Sequence, residues 1–253
     1  MYFFRSLVFN LVMVSATVIW ALVCLLFAPL PYAKRYYMTM RWNVFVIWAA
    51  RRICGIEYRV LGLENLPDAP VILLSKHQSA WETVFYPAMM PRPLVFVFKR
   101  ELLWIPFFGW AFALLRMIAI DRSQGKKAFW QVLAQGRQRL ANGQWIILFP
   151  EGTRTPVGSQ GQYKTGGARL AIQTDTLIVP IALNSGERWP RHRFIKRPGL
   201  ITVSIGPAIS PHNRSANELM SAVETWIETE MRRISPHAYE SRENLNPIEI
   251  PSS

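Results

Sequence analysis

The chain has 253 residues, 51% of them hydrophobic and 18% charged, with a formal net charge of +13; that length holds one large domain or two small ones, and that charge fits nucleic acid, an anionic membrane face or anionic substrates. Ten Trp and fourteen Phe shift the weight away from nucleic acid and toward a membrane, because large aromatics favour the headgroup boundary. Two cysteines, Cys24 in an apolar run and Cys54 just after Arg51-Arg52, exclude a disulfide framework and a zinc site, and a reducing cytosolic face is the default for the folded domain.

Residues 7–30 are almost wholly apolar, interrupted only by Asn10, Ser15 and Thr17. At about 1.5 Å per residue, such a helix is long enough to cross a bilayer core. A cleaved signal peptide would have a shorter apolar region followed by a small-x-small site. Pro29-Leu30-Pro31-Tyr32 follows instead, which favours an anchor. Only Arg5 precedes the run, whereas Lys34, Arg35, Arg41, Arg51 and Arg52 follow it. The positive-inside rule therefore puts the rest of the chain in the cytoplasm. Residues 36–53 predict a second helix with Trp42, Phe45, Val46, Trp48 and Ala49 between arginines. Those arginines leave too short an apolar span, so this helix is expected to lie in the interface. A membrane-dipping hairpin of the two helices is the alternative.

From about Glu57 the pattern changes to short β-like runs at 57–61, 71–74, 94–98, 117–120, 145–149, 178–183 and 201–205. Helix-like stretches lie between and after them, at 81–89, 126–141, 166–174 and 216–234. Ser215-Ala216-Asn217-Glu218 is a capping-box pattern at the start of the last helix, whose apolar stripe is Leu219, Val223, Trp226, Ile227 and Ile234. Such alternation predicts an α/β domain with a mixed, largely covered sheet and flanking helices, preceded by an N-terminal anchoring helix or two-helix motif. The expected organisation is residues 1–55 membrane-associated, 56–235 the α/β domain, and 236–253 a polar tail without a core contact. The greasy run at 102–115 reads either as a buried helix over the sheet or as a wall that meets acyl chains or the bilayer.

Two segments carry chemistry. Lys76-His77-Gln78-Ser79-Ala80-Trp81-Glu82 follows the second β-like run. A histidine can take a proton from an alcohol when a carboxylate holds its other ring nitrogen. His77 and Glu82 meet only if His77 sits in the turn before a helix and Glu82 in its first turn. Ser79-x-x-Glu82 fits a capping box with Ser79 as N-cap, which supports that arrangement and equally gives Glu82 a purely structural task. Phe149-Pro150-Glu151-Gly152-Thr153-Arg154 follows the fifth run. There Pro150 presets a turn, Gly152 allows close backbone approach, Thr153 can donate, and Arg154 can grip a phosphate bidentately. Glu151 either orients Arg154 or bonds a substrate hydroxyl; a solvated exposed turn is the bland alternative. Lys99 and Arg122 also stand at strand ends, so Lys99, Arg122 and Arg154 could converge on one anion. A dense basic loop with an aromatic spans residues 188–197 and fits anionic headgroups, an acidic carrier partner, or plain solvation.

Together these segments resemble the glycerophospholipid acyltransferases, and within them the bacterial 1-acylglycerol-3-phosphate acyltransferases. The family's Asn-His-x-Ser-x-x-Asp block corresponds to residues 76–82 here, with Lys76 in place of Asn and Glu82 in place of Asp. Its second block corresponds to Lys99-Arg100-Glu101-Leu102 through Ile120-Asp121-Arg122, its third to Phe149–Arg154, and its fourth to Val179-Pro180-Ile181-Ala182-Leu183. The resemblance implies His77 as general base on the free hydroxyl of lysophosphatidic acid, and Glu82 as its orienting partner. It also implies Glu151, Gly152, Thr153 and Arg154 at the acceptor, with Lys99 and Arg122 at its phosphate. The implied donor is acyl-CoA or acyl-carrier protein and the product phosphatidic acid. No metal or cofactor is expected, membrane lipids are expected partners and nucleic acid is not. The implied location is a bacterial-type inner membrane, with the catalytic domain on the cytoplasmic side.

Overall fold

The structure, a computed structural model, describes residues 1–105 and 108–243. Seven strands form one sheet: β1 (Ile56–Leu61), β2 (Ile72–Ser75), β3 (Leu94–Lys99), β4 (Ile118–Ile120), β5 (Trp145–Leu148), β6 (Ile178–Leu183) and β7 (Gly199–Ile205). Each lies within two residues of a β-like run in the sequence. Their order is β1-β7-β6-β2-β5-β3-β4. The five strands from β6 to β4 run parallel; β7 is antiparallel to β6 and pairs in parallel with β1. The sheet is mixed and its centre is covered on both faces, which is why β2 and β6 are continuous apolar runs and are wholly buried.

The helices α3 (Trp81–Met89), α5 (Lys126–Ala141), α6 (Gly166–Thr174) and α7 (Ala216–Ile234) occupy the expected positions. In α7 the Ser215 hydroxyl accepts the Glu218 N–H, and the Glu218 carboxylate accepts the Ser215 N–H. Such a cap contributes about 1 kcal/mol. Its buried face includes Leu219, Val223 and Ile227 as anticipated, but also a glutamate, Glu228. Within the greasy run, α4 spans Phe108–Leu114, while Pro106 and Phe107 lie outside the described residues. The C-terminal segment departs from expectation. Pro236–Glu243 forms α8, Tyr239 is buried, and the Arg232 guanidinium lies 5.2 Å over its ring.

At the other end, α1 (Tyr2–Leu26) and α2 (Tyr32–Ala49) form an antiparallel pair joined at residues 27–31. α1 is long and apolar enough to cross a membrane. Its first turns, however, pack on the α/β domain. Ser6 Oγ accepts the Lys196 N–H at 2.9 Å, Arg5 Nε donates to the Ile53 carbonyl, and Phe9 meets Trp189 edge-on at 5.1 Å. Trp20 Nε1 donates to Thr39 O at 3.0 Å, and α2 leads back into β1. Both ends of the pair therefore sit on the same side, against the domain. An exposed apolar stripe, Leu11, Val14, Val18, Leu22 and Leu25, runs along α1 at helical spacing. The basic loop is not simply solvated: Trp189 and Lys196 are buried, with the Lys196 ammonium 5.0 Å from the Trp189 ring and 5.6 Å from that of Phe9. Arg191, His192 and Arg193 remain exposed.

Candidate active site

Four parallel neighbours, β6, β2, β5 and β3, end on the same edge of the sheet. Side chains following each of them meet there: Ser185 after β6, His77 after β2, Phe149 to Arg154 after β5, and Lys99 at the end of β3. Carboxyl ends of parallel strands are the usual place for a ligand crevice, because their loops converge without obstructing the sheet.

His77 and Glu82 are in contact. His77 Nδ1 and Glu82 Oε1 are 2.9 Å apart. α3 takes Ala80 as its N-cap, one residue past the expected Ser79, and Glu82 lies in its first turn. Ser79 still closes the entry, since its Oγ accepts the Trp81 N–H at 2.8 Å. Glu82 Oε1 also accepts the N–H groups of Gln78 and Ser79, each at 2.7 Å. Capping and holding the imidazole, posed by the sequence as alternatives, are thus performed by one oxygen. Oε2 accepts from Ser185 Oγ at 2.7 Å and Ser79 Oγ at 3.1 Å. Burial raises the pKa of this fully enclosed carboxyl, but bonds from His77, Ser79 and Ser185 outweigh burial and hold it below its ordinary 4.5. Next to an ionised acceptor, Nδ1 carries the ring proton and Nε2 keeps its lone pair.

The ring is fixed from its face as well. It stacks on Phe149 with centroids 3.8 Å apart and planes 15° from parallel. The His77 backbone is pinned to the turn after β5. Its N–H reaches Glu151 Oε2 at 3.4 Å, and its carbonyl accepts from Thr155 N at 2.8 Å and Thr155 Oγ1 at 3.2 Å. Glu151 is buried, not presented to a substrate. Its Oε1 accepts from Lys76 Nζ at 2.8 Å and from Gly161 N at 2.9 Å. The anticipated bond from Glu151 to a substrate hydroxyl or to Arg154 has no counterpart in these contacts. A carboxylate beside an anion site made little sense on the sequence alone; its partner, Lys76, sits out of sight in the core.

His77 lines an elongated, mainly apolar cavity of about 940 Å³. Lys99, Gly152, Arg154 and Lys164 line it too, so the cavity that holds the imidazole also holds cations. Thr153 is exposed and outside this wall. Arg122 begins a short turn after β4, but its side chain lies outside the described residues. Its lining also includes Met117 and Leu115, Leu102 and Ile105 of the greasy run, and Thr17, Ala21, Met40 and Trp42 of α1 and α2. Of that run, Leu102 and Ile105 line the cavity, while Trp104 stands 81% exposed and so is not part of a helix buried over the sheet. Lys76, Ser185, Phe149 and Lys164 were not singled out as site residues from the sequence. Ser185 had a signal, a polar side chain just past a strand; Lys164 and the contact of Phe149 with His77 had none.

Residues 57–184 match the family model described as Acyltransferase. The chain is similar to 1-acyl-sn-glycerol-3-phosphate acyltransferase of Pseudomonas aeruginosa, at 45% identity over 92% of each chain. It is similar to the protein of the same name from Limnanthes douglasii, at 30% identity over 83% of this chain and 74% of that one. Its fold is similar to the crystal structure of the 1-acyl-sn-glycerophosphate (LPA) acyltransferase PlsC from Thermotoga maritima, with a TM-score of 0.78 and 22% identity over 92% of this chain and 95% of that one. A histidine held by a buried carboxylate on the wall of a mainly apolar cavity accords with these matches, and the chain belongs to the acyltransferase family.

Proposed function

We propose that this enzyme transfers a fatty acyl group from a thioester, carried on coenzyme A or acyl-carrier protein, to the free hydroxyl of 1-acyl-sn-glycerol 3-phosphate. The product is phosphatidic acid. The observation that carries this reading is the His77–Glu82 contact, placed on the wall of a cavity that offers both an apolar channel and the cations Lys99, Arg154 and Lys164. His77 Nε2 takes the hydroxyl proton as the oxygen attacks the thioester carbonyl. Glu82 stabilises the imidazolium that forms. The C–S bond then breaks, and the departing thiolate receives the proton from His77. Arg154 and Gly152 hold the acceptor phosphate, with Lys99 and Arg122 assisting from neighbouring strand ends. Thr153 and Glu151 support that turn, Glu151 through its bond to Lys76.

The α1–α2 pair serves as a membrane-dipping hairpin. Both of its ends lie against the domain, its outer stripe is apolar, and Arg191, His192 and Arg193 stand ready for anionic headgroups. Acceptor and product can then exchange with one leaflet, the cytoplasmic leaflet of a bacterial inner membrane. The test is acyl transfer from labelled oleoyl-CoA or oleoyl-carrier protein to lysophosphatidic acid, with His77→Ala as the control. Loss of a general base lowers the rate by about 10²–10⁴. A His77→Ala enzyme within about threefold of the parent would remove His77 from the mechanism.

A further inference from the structure

Lys76 fills the place where the resembled family has Asn, and its ammonium is fully buried. All three of its N–H donors are used: Glu151 Oε1 at 2.8 Å, Glu228 Oε1 at 2.7 Å and Ser159 O at 3.0 Å. Glu228 belongs to α7, beyond the residues 57–184 of the family match. Its Oε1 also accepts from Tyr163 Oη at 2.8 Å, while its buried Oε2 has no hydrogen-bond partner among the described residues. Glu151 in turn reaches the His77 N–H, and it is followed directly by Gly152. One buried cation thus joins α7, the loop bearing the histidine and the turn bearing Arg154.

We infer that Glu228 is a positioning residue for the acyl-transfer centre, acting through Lys76 and Glu151 on the backbone of His77 and on the neighbouring turn. Two facts support a role beyond packing. A lysine here needs two acceptors that the ordinary Asn would not, and a buried charge that loses one of its partners is strongly destabilising. Moreover, the only covalent neighbour of Lys76 on its C-terminal side is His77 itself, so a shift of the lysine is transmitted directly. A misplacement of about 1 Å at a catalytic group can cost on the order of 10²-fold in rate. The cluster also sets a field. Lys76 with Glu151 and Glu228 carries one cation and two carboxylates; among the described residues Glu82 of α3 pairs with His77, and Lys99, Arg154 and Lys164 line the same cavity.

This inference rests on His77 as the base, and the experiment separates the two. Steady-state kinetics and kcat/KM against pH are measured for the full chain in detergent–lipid micelles, with near-UV circular dichroism as the check on folding. Lys76→Asn leaves two buried carboxylates unneutralised. Its kcat falls about tenfold or more with KM for lysophosphatidic acid little changed. Adding Glu228→Gln to Lys76→Asn removes surplus charge and recovers most of the lost kcat. A double variant as slow as Lys76→Asn overturns the inference. Should Lys76→Asn fail to fold, Glu228→Leu and Glu228→Gln decide. Leu removes one of the three acceptors of Lys76 and the Glu228 acceptor of Tyr163 and loses about tenfold in kcat, whereas Gln keeps an acceptor there and loses less than about threefold; equal losses overturn it. A parent with no acid limb, or an active His77→Ala, would instead refute the base assignment and leave this coupling without a target.

Discussion

Glu82→Gln separates the carboxylate's charge from its hydrogen bonds. The amide oxygen can occupy the Oε1 position, still accepting from Gln78 N, Ser79 N and His77 Nδ1. The amide NH₂ then falls at Oε2, where the Ser79 and Ser185 hydroxyls can rotate to accept. Helix entry and tautomer are kept, and only the negative charge beside the forming imidazolium is lost. At about 4 Å between charge centres and an effective dielectric near 20, that interaction is about 4 kcal/mol. Each 1.36 kcal/mol is tenfold in rate, so the upper expectation is about 10³ in kcat. Serine-protease triads lose about 10⁴ when the equivalent Asp becomes Asn, because there the tautomer is wrong as well. The expected loss here is therefore about 10²–10³, with KM for lysophosphatidic acid within about threefold, since Glu82 is off the cavity wall. The assay is transfer of labelled oleate from its coenzyme A thioester. A Glu82→Gln enzyme within about threefold of the parent would mean that Glu82 only caps α3, and the electrostatic argument would fail.

Other consequences are equally direct. Arg154→Lys keeps the charge but not the bidentate fork, so KM for lysophosphatidic acid should rise about tenfold with kcat little changed; an unchanged KM would remove Arg154 from the phosphate site. Because the folded-state pKa of Glu82 lies below 4.5, the stability it contributes is present above pH 4.5 and is lost as pH falls through the folded value. Exposed Asp121 and Glu218 and partly exposed Glu230 are also lowered, so the measurement is a difference. Thermal midpoints of Glu82→Gln should decline less steeply with acid than those of the parent, and parallel curves would contradict the assignment. Gly158 has φ +71° and faces the Ala238 carbonyl, which a Cβ would approach to 2.1 Å. Gly158→Ala should cost at least about 1–2 kcal/mol and expose α8 to protease, and unchanged digestion would mean that α8 is not docked there.

Much of this protein was legible in the chain itself. The strands declared themselves because a sheet covered on both faces demands uninterrupted apolar runs, and α7 because Ser215 and Glu218 satisfy its first N–H groups. His77 and Glu82 could be paired on paper because a turn entering a helix brings such residues together locally. Contacts made across the sequence were another matter. In the sequence Lys76 showed only as a departure from a motif, whereas its carboxylate acceptors are Glu151 and Glu228, 75 and 152 positions away. Nothing local marks Glu228 out within its amphipathic helix. Ser185 meets Glu82 only because β6 lies next to β2, an adjacency set by strand order. The path of α1 was open for the same reason. Hydropathy measures whether a helix tolerates lipid, and its length says that it could span. Only the packing of Phe9 on Trp189, and the donation of the Lys196 N–H to Ser6, fix where its first turn rests. Periodicity and capping are local interactions and are written in neighbouring residues; the partner of a buried charge is chosen by the folded surface that encloses it.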